Sequence, residues 1–208
     1  MMIQRGLAGV TLVASVVGLM AYQVAPGKAD NDDDEMVILA WERMAAEPPG
    51  AVRVDTNTRG IVGGRLPWDI NSAGGRLTVD GELEIRIRGL VLDHTLPNDG
   101  TPFSGGLNPF KTFSVIVSCL TPDPEIGELV VVNVAPLDQA TGNPRQFRAS
   151  VPRGDCDIHT HVALPDPCMA PIVFVTSPLQ PGDAAIPTTP PTPAGTRLTW
   201  IAVTGFGN

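Results

Sequence analysis

The stretch from Arg76 to Leu92 constrains the fold more than any other part of the chain. Arg76-Leu77-Thr78-Val79 and the run Glu82 to Leu92 flank Asp80-Gly81. Asp-Gly between two alternating runs predicts a β-hairpin, because both central positions of a type I′ turn require φ > 0. Leu83, Ile85, Ile87 and Val91 fall on one face of the second run, and Glu82, Glu84, Arg86 and Arg88 on the other. One dry face and one wet face is the pattern of an antiparallel sheet packed on a core.

Further strands are predicted at Thr112 to Leu120, Glu128 to Val134, Arg145 to Val151, Asp155 to Leu164, Ile172 to Val175 and Arg197 to Val203. Turn signals such as Gly142-Asn143-Pro144 and Arg153-Gly154 separate them. Met36 to Ala46, with Trp41 at its centre, fits either a first strand or a short helix, and Pro48-Pro49-Gly50 ends it. Arg59 to Trp68 is dense in glycine and reads as an irregular segment that delivers the Trp68 ring to the core. It lacks the following helix and the lysine of a phosphate-binding loop. Charged residues make up only 17% of the chain, and 22 glycines and 21 prolines suit short strands joined by tight turns. The expected fold is all-β, an antiparallel β-sandwich or closed barrel of about eight strands.

The N-terminus has the three parts of a secretory leader: Arg5, an uncharged run from Gly6 to Tyr22, and a small-residue exit at Gly27-Lys28-Ala29. A signal peptide over residues 1–29 is therefore expected, and stable membrane insertion is not, because the run is short and punctuated by glycine. Cleavage after Ala29 removes two of the 14 basic residues and none of the 22 acidic ones, which moves the net charge from −8 to about −10. Such a domain is a poor partner for nucleic acid or anionic lipid. Asp30 to Glu35 then forms a solvated, flexible acidic start, without the loop geometry that calcium requires. Residues 36–208 form a single β domain with a Pro/Thr-rich loop at 180–195, suited to extended polyproline geometry or to O-glycosylation. No Asn-x-Ser/Thr sequon occurs.

An exported chain with three cysteines pairs two and leaves one. Cys119 shares the core face of its strand with Phe113, Val115 and Val117, and Cys168 sits in the stiff turn Asp166-Pro167-Cys168-Met169-Ala170-Pro171. This favours Cys119–Cys168 with Cys156 free, while Cys156–Cys168 and Cys119–Cys156 stay open. Cys156 lies between Asp155 and Asp157 on an apolar strand face, which suits an inert thiol better than a reactive one.

The one constellation that suggests chemistry is Asp155-Cys156-Asp157-Ile158-His159-Thr160-His161. In a strand, Asp155, Asp157, His159 and His161 share a face, with the two imidazoles about 7 Å apart along it. Such a pair binds zinc or copper when a neighbouring strand, or His94, adds a ligand. The same alternation is also what any solvent-facing strand displays. Hydrolase chemistry has less support, since no Gly-x-Ser-x-Gly elbow is present. Aromatic residues, at 5%, are too few for sugar platforms.

The run Arg59-Gly60-Ile61-Val62-Gly63-Gly64-x-x-Pro67-Trp68, the strand Glu82 to Leu92, and Leu164-Pro165-x-Pro167-Cys168-x-Ala170-Pro171-x-Val173-Phe174-Val175-Thr176 resemble a group of small exported bacterial proteins without assigned activity. The resemblance implies that the cysteine after the strand and the cysteine of the Pro-Cys turn pair, and it implies no substrate or cofactor. The sequence therefore leads to the expectation of a secreted, non-enzymatic domain that binds an extracellular ligand or surface. A secreted metal binder using His159 and His161 is the alternative, and a hydrolase with a site assembled from distant loops is a further one. Self-association is expected to be open to such a fold through an exposed edge strand.

Overall fold

Both arms of the expected hairpin are strands. The computed structural model describes residues 36–48, 57–64, 66–178 and 198–204, so the expected leader, the acidic start and the Pro/Thr-rich loop lie outside the described residues. Among those residues there are fourteen strands and no helix. In chain order they are β1 (Val37–Trp41), β2 (Ala45–Ala46), β3 (Asn57–Thr58), β4 (Ile61–Val62), β5 (Trp68–Asp69), β6 (Ser72–Thr78) and β7 (Glu82–Arg88). Then follow β8 (Val91–Leu92), β9 (Thr112–Pro122), β10 (Leu129–Val134), β11 (Phe147–Arg148), β12 (Cys156–His161), β13 (Met169–Thr176) and β14 (Trp200–Val203). One sheet has the order β1-β6-β7-β12 and a larger one the order β10-β9-β13-β14-β2, with β11 also beside β9. All strand pairs in both are antiparallel.

The hairpin turn departs from the expected type. Gly81 takes φ 91° while Asp80 stays out of the left-handed region, and the Gly81 N–H donates to the Thr78 carbonyl at 3.1 Å. This is a turn over Thr78 to Gly81 closed by a glycine bulge, not a type I′ turn. Two local bonds select it: the Thr78 hydroxyl accepts the Glu82 N–H, and the Gly81 carbonyl accepts the Val162 N–H. The second expected arm is also shorter than the run that predicts it. Gly89, at φ 66°, ends β7, so Val91 leaves the row of Leu83, Ile85 and Ile87 and pairs through β8 with β5.

Met36 to Ala46 forms two strands in different sheets, β1 beside β6 and β2 beside β14. Of Arg145 to Val151, only Phe147 and Arg148 are strand, because a tight loop from Ser150 to Asp155 follows at once. The closed-barrel alternative is not realised among the described residues. The four-stranded sheet ends at β1 and β12 and the larger one at β10 and β2, and no pairing joins these ends.

Leu77, Leu83, Ile85, Ile87, Cys156 and Ile158 from the smaller sheet, and Val115, Val117, Cys119, Val173 and Val175 from the larger, belong to one buried cluster. Removing such a side chain from water is worth about 1.5–3 kcal/mol. Trp68 joins this cluster and stacks on Phe110 at 5.7 Å between centroids, as the glycine-rich approach to it predicts. The larger sheet is buried on its other face as well, where Ile116 and Phe174 pack with Ile61, Leu198 and Trp200. The β3–β4 hairpin is held there by Arg59, whose Nη1 donates to the Ser118 carbonyl at 2.9 Å, and by Asn133, whose Nδ2 donates to the Arg59 carbonyl at 2.9 Å. Burial pushes the Arg59 pKa down. Cys119 and Cys168 form the disulfide, with Cα atoms 5.0 Å apart, and Cys156 is free and buried.

Candidate functional site

Strand alternation sends Glu82, Glu84, Arg86 and Arg88 of β7, and Asp157, His159 and His161 of β12, to the outer face of the smaller sheet. The register sets Asp157 opposite Arg86, His159 opposite Glu84, and His161 opposite Glu82. From β6, Arg76 stands opposite Glu84. The result is a lattice of alternating sign. Arg76 grips Glu84 through Nε at 2.9 Å and Nη2 at 3.2 Å, and Arg88 grips Asp157 through Nη1 at 2.8 Å and Nη2 at 3.1 Å. Both are paired forks, the geometry in which guanidinium and carboxylate fit best. The Arg76 hydrogen bond holds the Glu84 carboxyl below its ordinary pKa, and the Arg88 hydrogen bond does the same for Asp157.

His159 lies between two carboxylates, its Nε2 3.6 Å from Glu82 Oε2 and 3.7 Å from Glu84 Oε1. One donor atom from each of these three residues falls within 4.8 Å of the others. The third ligand that the sequence reading asks of a neighbouring strand is thus supplied twice, by Glu82 and Glu84, whereas His161 stands outside the group. His94 is remote from it: its N–H donates to Asp69 Oδ2 in the loop after β8. Beside the three residues lies a shallow hollow of about 610 Å³, floored by Gly74 and Gly75 and bordered by Arg76, Glu84 and His159. Both of Glu84's oxygens are engaged by Arg76, so a cation in this group would compete with that guanidinium.

A second cleft, of about 870 Å³, is lined by Arg88, Lys111, Arg148, Ser150, Asp155 and Cys156. Part of its polar lining is committed. Asp155 Oδ1 accepts the Gly89 N–H, its N–H donates to Ser150 Oγ, and Arg88 is paired with Asp157. Burial, with a smaller contribution from the charge of Asp157, pushes the Cys156 thiol up to about 12, so it carries no thiolate at neutral pH. Among the described residues no hydroxyl or thiol is hydrogen-bonded to a histidine. Nor is any helix among them long and apolar enough to cross a membrane.

The sequence reading passes over the edge of β10, beside which no described strand lies. Leu129 and Val131 on that strand, Ile126 before it and Leu137 after it are all exposed. The signal was present as six uncharged residues, Leu129 to Val134, in a chain otherwise rich in acid. What it lacked was knowledge of which strands end the sheets.

No family model, no curated protein and no solved structure matches the chain.

Proposed function

We propose that this chain is an exported β-sandwich domain that acts by association at the cell surface or outside the cell, and not by catalysis. The sandwich reading rests on the single apolar cluster to which both larger sheets contribute. The observation that carries the functional reading is the contrast between two surfaces. The polar face of the smaller sheet spends its charges on itself, whereas the β10 edge presents apolar side chains with no described strand beside them. Surfaces of the second kind serve binding. Fractionating bacterial cells that express the full chain, followed by intact non-reduced mass measurement, tests it. The expected product lies outside the cytoplasm and lacks residues 1–29 and two hydrogens. A full-length cytoplasmic product overturns the reading.

A second reading, zinc or copper binding, is favoured by the grouping of His159 with Glu82 and Glu84. Imidazole and carboxylate together suit zinc, and His161 opposite Glu82 is a further donor on the same face. Titration with either metal is expected to raise the melting temperature and shift the His159 imidazole resonances. Absence of both changes removes this reading.

A further inference from the structure

We infer that the cleft at the Arg88 end of the smaller sheet binds a small organic carboxylate, whose anionic group is held by Lys111, Arg148 and the Ser150 hydroxyl. The site goes beyond the proposed association and depends neither on export nor on the β10 edge.

Separate segments converge to build the cleft. Arg88 ends β7, Lys111 precedes β9, Arg148 ends β11, Ser150 opens the 150–155 loop, and Asp155 and Asp157 flank the first residue of β12. The pairing of β9 with β11 brings Lys111 and Arg148 together: Arg148 stands opposite Thr112, and the Ala149 N–H donates to the Lys111 carbonyl at 2.9 Å. The volume, about 870 Å³, falls within the range of small-molecule sites.

Three cations and two carboxylates line this space, which leaves one positive charge in a chain whose net charge is −8. Arg88 and Asp157 close on each other in a paired fork at 2.8 and 3.1 Å. Asp155 Oδ1 accepts the Gly89 N–H at 3.0 Å. Lys111 and Arg148, by contrast, have neither an ion pair nor a side-chain hydrogen bond among the described residues. For Arg148 this breaks the habit of the sheets: the other arginines on described strands, Arg76, Arg86 and Arg88, each lie within 3.9 Å of a carboxylate oxygen. Two uncompensated cations in one concave site focus positive potential there.

Ser150 adds a fixed donor. Its N–H donates to the Asp155 carbonyl at 2.8 Å, and its carbonyl accepts the Gly154 N–H at 2.8 Å and Asn108 Nδ2 at 3.0 Å. Its Oγ accepts the Asp155 N–H at 2.9 Å, and the hydroxyl proton has no acceptor among the described residues. A donor pinned in this way loses little freedom when a ligand arrives.

The chemistry of the occupant follows. Ammonium and guanidinium groups only donate, and with a hydroxyl proton they match an oxyanion. The single net positive charge suits a monoanion better than a phosphate dianion. Exposed Val151 and buried Ala149, which also line the cleft, offer an apolar wall to a hydrocarbon body. A carboxylate with a short alkyl chain meets both demands.

Hexanoate is the probe. Its titration into the ¹⁵N-labelled full chain at constant ionic strength is expected to give saturable amide shifts at Lys111, Arg148, Ser150 and Val151, with a Kd of about 1 mM. Arg148→Gln is expected to weaken binding about tenfold, the loss of one charged donor. Arg43→Gln, an exposed arginine between β1 and β2, is expected to leave it unchanged. Melting curves confirm that both variants fold. A second readout needs no variant, because Lys111 is the only lysine after Lys28. Hexanoate should slow acylation of the Lys111 amine and not that of Lys28, read by peptide mass mapping. Equal shifts with hexylammonium, tighter binding of inorganic phosphate, indifference to Arg148→Gln, or an unprotected Lys111 overturns the inference. A chain that stays in the cytoplasm and binds hexanoate refutes only the proposed function.

Discussion

Replacing Gly154 with alanine separates two costs that the chain carries at different places. Three loops, 123–128, 138–143 and 150–155, are built alike. In each, the fifth residue donates its N–H to the carbonyl of the first (Gly127 to Asp123, Gly142 to Asp138, Gly154 to Ser150), and the first donates to the carbonyl of the sixth, every bond at 2.8 Å. The three glycines take φ of 69°, 69° and 70°. Their surroundings differ. A Cβ at Gly127 or Gly142 meets nothing within 4 Å, whereas at Gly154 it overlaps the carbonyl oxygen of Leu90 and lies 2.6 Å from the carbonyl carbon. A left-handed alanine costs about 1–2 kcal/mol, of which about 0.4–1 kcal/mol returns through the stiffer unfolded chain. Gly127→Ala and Gly142→Ala are therefore expected to lose about 1 kcal/mol. At Gly154 the backbone must also move apart, costing about 1–3 kcal/mol as overpacking. The hydrogen bond from the Leu90 N–H to the Gly154 carbonyl, 3.3 Å long, is lost with it, for about 1 kcal/mol more. Gly154→Ala thus loses about 3–5 kcal/mol, or roughly 6–20 °C in Tm for a chain of this size. Urea unfolding of the three variants side by side is the assay. Equal losses in all three would refute the reasoning, because only the clash with Leu90 distinguishes them.

Reduction, or Cys119→Ala with Cys168→Ala, opens a link between residues 49 apart in sequence and is expected to cost about 4 kcal/mol in the chain-entropy account, read as a lower urea midpoint. Cys156 should resist iodoacetamide at pH 8 in the folded chain and react on unfolding. Its thiol is raised from 9.0 to about 12, so above pH 9 the unfolded chain releases a proton that the folded chain keeps. Stability should then fall toward pH 12 more steeply in the native sequence than in Cys156→Ala, by up to about 1.4 kcal/mol per pH unit. Asp157 and Glu84 are shifted the other way, held low by Arg88 and Arg76. The stability they contribute is present above the ordinary carboxylate range and is lost as pH falls through it, and Asp157→Asn should flatten that acid limb in a pH series of melting curves.

The strands were legible where one face is dry. Leu83, Ile85 and Ile87 alternate with charged residues, a local period-2 signal, whereas β9 is buried on both faces, with Ile116 on the side away from Phe113, Val115 and Val117. What sequence missed were decisions taken by neighbours. Asp80-Gly81 reads as a type I′ turn until the Thr78 hydroxyl and the Val162 N–H are in place to favour the bulged form. Val91 continues the apolar row in sequence and leaves it in space, because Gly89 turns the chain with φ 66°. The three like loops did carry a local signature, Asp or Ser with glycine four residues on, in Asp123–Gly127, Asp138–Gly142 and Ser150–Gly154.

The polar face was half legible for the same reason. Alternation alone put His159 and His161 on one side of a strand, and Glu82 and Glu84 on one side of another, but the register that seats His159 between the two carboxylates links positions some 75 residues apart and is fixed only when β7 and β12 pair. The same register sets His161 opposite Glu82, on the same face but outside the three-residue group. The β10 edge was hidden more completely, since Leu129 to Val134 reads identically whether the strand is central or terminal. Only the strand order, with β9 on one side and no described neighbour on the other, turns an ordinary apolar run into the surface most in need of a partner. Among the described residues the charged face pairs its charges internally and three sheet ends carry a bulge, charges or brevity, whereas the β10 edge has backbone hydrogen-bonding groups with no described strand beside them, and a strand is the ligand that matches such groups.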